Sequence, residues 1–189
     1  MIIIARGSEI IMKRKISRLI LLVVLITIAI TNISYAQPTT NQNSPYGPKV
    51  EDLKGKEKIV KSFNDITRLR ANLIIISIKE SSTDEQLKAI NVNLELYIEE
   101  FNNIRRDLEE HKLLYKDSFP DIFFSEQISF IADSYIISIR QQQNLIIALQ
   151  TNREEAKNLF YSSYLIPVYY YLTLGDNMSS YIDTYFVLR

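Results

Sequence analysis

From Leu87 to Tyr115, the positions Leu87, Ile90, Leu94, Tyr97, Phe101, Ile104, Leu108, His111 and Tyr115 follow one another at alternating spacings of three and four. Charged residues, among them Glu95, Glu99, Arg105, Arg106, Asp107, Glu109 and Lys112, fill the positions between. That spacing is one face of a long helix with a narrow seam, as in coiled coils and bundles. The same rule predicts a first helix over 50–81, on the stripe Ile59, Phe63, Ile66, Leu69, Leu73 and Ile76. Ser81-Ser82-Thr83 breaks it, and Ser82 with Glu85 makes a capping-box pattern for the second helix. Lys116 to Pro120 reads as a turn, because proline suits the first turn of a helix. The third helix then runs to about Gln150, on Phe124, Ile128, Ile131, Tyr135, Leu145 and Leu149, with Ser138 and Gln142 interrupting the stripe.

Thr151 with Glu154 repeats the capping pattern and opens a fourth helix. Pro167 falls inside it and predicts a kink, since the ring clashes with the preceding turn and one hydrogen bond is lost. Gly175-Asp176 either ends this helix or bends it before Tyr181–Leu188. Four long helices with short connections imply antiparallel neighbours. The expected fold class is therefore all-α, an antiparallel up-down-up-down four-helix bundle over 50–189.

Ahead of the domain the pattern changes. Lys13, Arg14, Lys15 and Arg18 precede the apolar run Leu19–Ile30, and Ser34-Tyr35-Ala36 stands before Gln37. A basic block, a short apolar run and small residues at −3 and −1 describe a secretory signal peptide, 1–36. The run is shorter than the ~20 residues of a spanning helix. The alternative is an uncleaved anchor over 16–36, which would tether the domain to a membrane. Met12, directly before the basic block, is an alternative start. Residues 37–49, rich in Pro, Thr, Asn and Gln, read as a disordered linker that cannot recover its ordering entropy.

Composition narrows the function. Residues 1–36 hold five of the 22 basic residues and one of the 22 acidic ones, which leaves 37–189 with a net charge of −4. A mildly acidic domain without a basic block does not suit nucleic acid. The chain has no cysteine, which excludes disulfides, thiolate metal sites and thiol nucleophiles. A single histidine rules out a di-iron bundle and zinc hydrolase chemistry, so no metal is expected. No nucleophile elbow or phosphate loop occurs. Glu99/Glu100 and Glu109/Glu110 fall between seam positions and read as a solvated face. Enzymatic activity is not expected.

The remaining candidates are few. His111 sits on the seam near a helix end, where it either packs with its charge toward the C-terminal dipole or acts as a ligand. In an up-down bundle helices two and four run parallel, and Met178 falls near the end of the fourth. A His111/Met178 pair holding a non-covalent haem is one alternative, although no cofactor is expected. Arg70, with Arg140, Ser138 and Gln142, either lines a polar pocket for an anionic ligand or snorkels to water. Asn177-Met178-Ser179 is a glycosylation sequon, relevant only in a host that modifies such sites.

Seven of the 12 tyrosines fall between Tyr161 and Tyr185. A helix apolar on all sides is either central in a core or covered by a partner. Tyr161, Tyr164, Tyr171, Tyr181 and Tyr185 are the candidate partner-binding residues, because tyrosine offers contact area with a polar tip. The expected function is an exported, non-enzymatic protein-interaction or self-association module working through the aromatic third and fourth helices. Its alternatives are a small-molecule or haem binder within the core, and a structural protein in contact with membrane through a retained N-terminal segment.

Overall fold

The structure is a computed structural model that describes residues 47–73, 78–186 and 188. The expected signal peptide and most of the expected linker lie outside these residues. A 3-10 turn at Val50–Asp52 leads into α1, Lys56–Asn72. Then follow α2, Asp84–Leu114, α3, Phe119–Thr151, and the short α4, Arg153–Asn158. Six residues of π-helix, Phe160–Leu165, join α4 to α5, Ile166–Phe186. The described residues contain no strand, and the chain is all-α as its periodicity predicts.

Several boundaries differ from those expected. The first helix stops at Asn72 instead of reaching residue 81, and Leu73 turns extended and drops into the core. Residues 74–76 are three isoleucines, whose β-branched side chains add little helix propensity. Both N-caps sit one residue later than predicted. Thr83, not Ser82, accepts from the Gln86 backbone N–H, while the Gln86 side chain accepts from the Thr83 N–H. Ser82 instead accepts from the Lys79 N–H. Asn152, not Thr151, caps the Glu155 N–H, and Thr151 is the last residue of α3. In both places capping-competent residues stand side by side, and the packing register of the helix chooses between them.

The break expected at Pro167 lies just before it. Proline's ring would press on the carbonyl four residues back, at Ser163, and its missing N–H leaves a carbonyl unpaired. The wider π turn absorbs that misfit, and α5 begins regularly at Ile166. Gly175 does not end the helix, which continues through Asp176 and Met178 to Phe186.

Paired contacts give the helix directions. Lys58 meets Asp107 at 3.0 Å and the Tyr97 hydroxyl donates to the Asn72 carbonyl at 2.7 Å, so α1 and α2 run antiparallel. Asn91 with Gln143, Arg105 with Asp133 and His111 with Asp121 set α2 against α3 in the same sense. Phe124 with Phe186, Tyr135 with Asp176 and Ser138 with Val168 do so for α3 and α5.

α3 packs against α1, α2 and α5 at once. Its buried residues therefore occupy more than one face, including Phe124, Ile128, Ile131, Ala132, Tyr135, Ile139 and Leu145. An all-round apolar helix has that need when it is central. α3 is also long and apolar enough to cross a membrane, but its buried apolar side chains are turned against neighbouring helices. Of the two polar interruptions in its stripe, Ser138 donates to the Val168 carbonyl at 2.8 Å, and Gln142 is buried without a partner for its Nε2.

Candidate functional site

Three constellations stand out, and two of them hold the fold together. The first gathers where α1 begins, α2 ends and α3 begins. Asp121 lies in the first turn of α3, beside Pro120, and is fully buried. Its Oδ2 accepts from the Lys54 N–H at 3.0 Å and from the Ser118 hydroxyl. Its Oδ1 accepts from the Gly55 N–H at 2.9 Å and from His111 Nε2 at 2.9 Å. Burial alone pushes this carboxyl up. The Ser118 hydroxyl, the two backbone N–H groups and His111 outweigh it and hold the pKa below the ordinary carboxylate range.

Helix ends add to the balance, since the acid sits at an N-terminus and His111 in the last turn of α2. The His111 ring stacks on Tyr115 at 4.6 Å between centroids and lies against the Gly55 backbone. A Cβ at Gly55 would clash with His111 and stand 2.5 Å from the Tyr115 ring, so only glycine permits the approach. The packed-histidine alternative describes this arrangement, and Asp121 is the partner that the sequence pattern missed. Lys116 to Pro120 marked the right turn but not the inward direction of the acid.

The second constellation lies about four turns further along α3, roughly 21 Å at 1.5 Å per residue from Asp121 to Tyr135. Arg70 grips Asp176 with two bonds, Nε to Oδ1 and Nη2 to Oδ2, each 2.8 Å. The Tyr135 hydroxyl donates to Asp176 Oδ1 at 2.9 Å, and the Arg70 guanidinium stands 5.8 Å from the Tyr135 ring centre. Burial, then the neighbouring Asp176, pushes the Tyr135 phenol far above its usual value. The ring reaches Asp176 by lying against Gly175, where a Cβ would stand 2.5 Å from it.

The structure thus assigns Arg70 to Asp176 and not to a shared pocket with Arg140, Ser138 and Gln142. Arg140 is exposed, beside Lys88 and Asn91. Met178 lies two residues beyond Asp176, at the Tyr135 level, packed partly into the core. His111 belongs to the Asp121 level, so the two proposed haem ligands are not brought together.

The third constellation is the outer face of the tyrosine-rich segment. Val168, Leu172, Gly175 and Ile182 are buried and define the inward side of α5. Tyr164 and Tyr181 are half-buried and pack on the core, and Tyr171 is half-buried. Tyr161 is 68% exposed and Tyr185 50%, but 24 residues separate them, roughly 36 Å of helix. The five candidate tyrosines therefore do not share one surface. Ile166 and Tyr170, both 63% exposed, and Tyr169, 48% exposed, lie three and four residues apart on the side away from the core. These are the outward residues that an all-round apolar sequence could not single out.

Among the described residues, no group of three or more His, Cys, Asp or Glu is placed to hold a metal ion. Glu99, Glu100, Glu109 and Glu110 are exposed on α2. The all-helical chain matches no family model, no curated protein and no solved structure in comparison.

Proposed function

We propose that this chain is an exported, non-enzymatic domain that self-associates through the outward face of α5 and the adjoining π turn. Its long helices make an up-down-up-down four-helix bundle, a reading supported by the antiparallel pairings of α1 with α2, α2 with α3 and α3 with α5. The basic block and apolar run of residues 13–30 support export.

The observation that carries the proposal is the exposure of Tyr161, Ile166, Tyr169 and Tyr170 on a segment whose opposite side is core. Aromatic groups left outside in this density favour a covering chain. No Lys, Arg, Asp or Glu occurs from Leu159 to Gly175. An uncharged face does not repel its own copy, so it suits a two-fold contact in which the same patch meets itself. Half-buried Tyr164, with Ile147 of α3 beside it, extends the apolar surface toward the third helix.

Sedimentation velocity across a wide concentration range tests the reading. A reversible monomer–dimer equilibrium is expected, weakened when Tyr169 and Tyr170 are both replaced by serine. A monomer at all concentrations, or a dimer indifferent to both substitutions, sinks it and leaves a different protein as the partner to seek.

A further inference from the structure

Gln142 is only 1% exposed, and no protein group accepts a hydrogen bond from its Nε2. Native interiors rarely leave an amide in that state, because an unmet buried donor costs more than a typical hydrogen bond contributes. The side chain lines a cleft between the C-terminal half of α1 and the N-terminal half of α2, with α3 reaching it from below. Leu69, Leu73, Leu94 and Tyr97 form apolar walls, and the half-exposed Leu96 stands at the rim. Tyr97 is fixed there, since its hydroxyl is committed to the Asn72 carbonyl.

We propose that this cleft is a binding site for a small, neutral, largely apolar molecule with one hydrogen-bond acceptor, such as a carbonyl oxygen, directed at Gln142 Nε2. Size and chemistry define the class. The cleft volume is about 330 Å³, roughly twice the ~150 Å³ that takes up a benzene-sized guest. It therefore admits a molecule of one or two rings. Gln142 is its one buried polar side chain, with Asn93 and Glu100 exposed, and few polar groups among apolar walls are usual in ligand sites.

The lining contains no Lys, Arg or His, and its one charge is Glu100 at the exposed edge. A carboxylate or phosphate would lose its water, gain no counter-charge and meet Glu100. A ketone or ester oxygen loses little hydration and finds a waiting N–H. Of the residues of the alternative anionic pocket, Arg70, Arg140, Ser138 and Gln142, only Gln142 lines this cleft. No α5 residue lines the cleft, so this inference stands apart from self-association through α5.

Acetophenone and ethylbenzene make the discriminating pair of probes, because they are similar in shape and only the ketone offers an acceptor. Titrated into isotope-labelled full chain, acetophenone should shift the Gln142 side-chain amide and the Leu94 methyl resonances saturably, with a dissociation constant on the order of 1 mM. Ethylbenzene should bind about tenfold more weakly, the worth of one modest hydrogen bond. Gln142→Leu removes no hydrogen bond made by Nε2 to protein and should fold; in it the two probes should bind equally. Leu96→Trp, at an exposed rim position, should close the mouth and weaken both.

The inference is overturned if neither probe produces a saturable shift. It is equally overturned if wild type binds both alike, or if the preference for acetophenone survives in Gln142→Leu.

Discussion

Replacing Asp121 with asparagine keeps the shape of the side chain and removes its charge, at the point where three segments are tied together. Four donors converge on the two carboxylate oxygens: the backbone N–H groups of Lys54 and Gly55, the Ser118 hydroxyl and His111 Nε2. An amide has one oxygen to offer, and its NH2 must face the other two donors. With the NH2 at the Oδ2 position, the Ser118 hydroxyl can turn and accept, but the Lys54 N–H cannot. That leaves one part-buried backbone donor unmet, about 1–3 kcal/mol, and strips charge assistance from two further bonds, about 1 kcal/mol each. The expected loss is roughly 3–5 kcal/mol, a large part of a typical domain stability of 5–15 kcal/mol.

The pH dependence separates this account from simple misfit. In the folded state the Asp121 pKa lies below its ordinary value of about 3.9. The folded protein therefore binds fewer protons at this site than the unfolded chain, and the stabilisation is present above about pH 4. It disappears as the pH falls through the folded pKa. Asparagine does not titrate, so urea unfolding followed by far-UV circular dichroism should give a clear wild-type-to-variant gap at neutral pH that closes below about pH 4. Other carboxylates titrate in both proteins and largely cancel in the difference. A neutral-pH gap under about 1 kcal/mol, or a gap that persists unchanged into acid, would refute the reasoning.

Gly175→Ala should lower the melting temperature even though alanine favours helix by ~1 kcal/mol, because the new methyl meets the Tyr135 ring and overpacking costs ~1–3 kcal/mol. In a Tyr135→Ala background the same change should become neutral or stabilising, and a double-mutant thermal melt reads the reversal. Gly55→Ala should likewise destabilise by at least ~1 kcal/mol in urea, through His111 and Tyr115. Tyr135 should ionise well above the ordinary tyrosine range in an alkaline ultraviolet titration. Its raised folded pKa contributes stability that is complete below pH ~10 and declines as the pH rises toward that value. Tyr135→Phe should therefore show a shallower loss of stability above pH ~10 than wild type.

Sequence period alone located α2 and α3 to within a few residues, because each keeps one stripe for many turns and little competes with it. It fared worse where local signals were crowded. Ser81, Ser82 and Thr83 are all competent caps, as are Thr151 and Asn152, and only packing against the neighbouring helices selects one. The polar contacts were less legible still. Nothing in the spacing of residues near 54, 111 and 121 tells that they meet, since the meeting depends on the turn geometry at three helix ends. Arg70, flagged for its position beside an apolar stripe, finds a partner 106 positions away. The tyrosine-rich segment defeated pattern reading for a different reason. With apolar groups on all sides no direction is preferred, and only the burial of Val168, Leu172 and Gly175 shows which way the helix faces.

The π turn at Phe160–Leu165 also bears on how this chain tolerates changes in length. A π turn accommodates one residue more than an α-helix would over the same rise, which makes the segment a stored insertion. Deleting one of Ser162 or Ser163 would remove that extra residue and leave α4 and α5 near their present phase, whereas the same deletion in a regular α-helix turns the flanks by about 100° relative to each other. α5 is pinned by Phe186, Ile182, Gly175 and Leu172, whereas α4 has Ala156 as its buried residue. Any residual misfit would therefore fall on α4. Loss or gain of a residue here is absorbed at the small end of the domain, leaving the α5 surface in phase with the core.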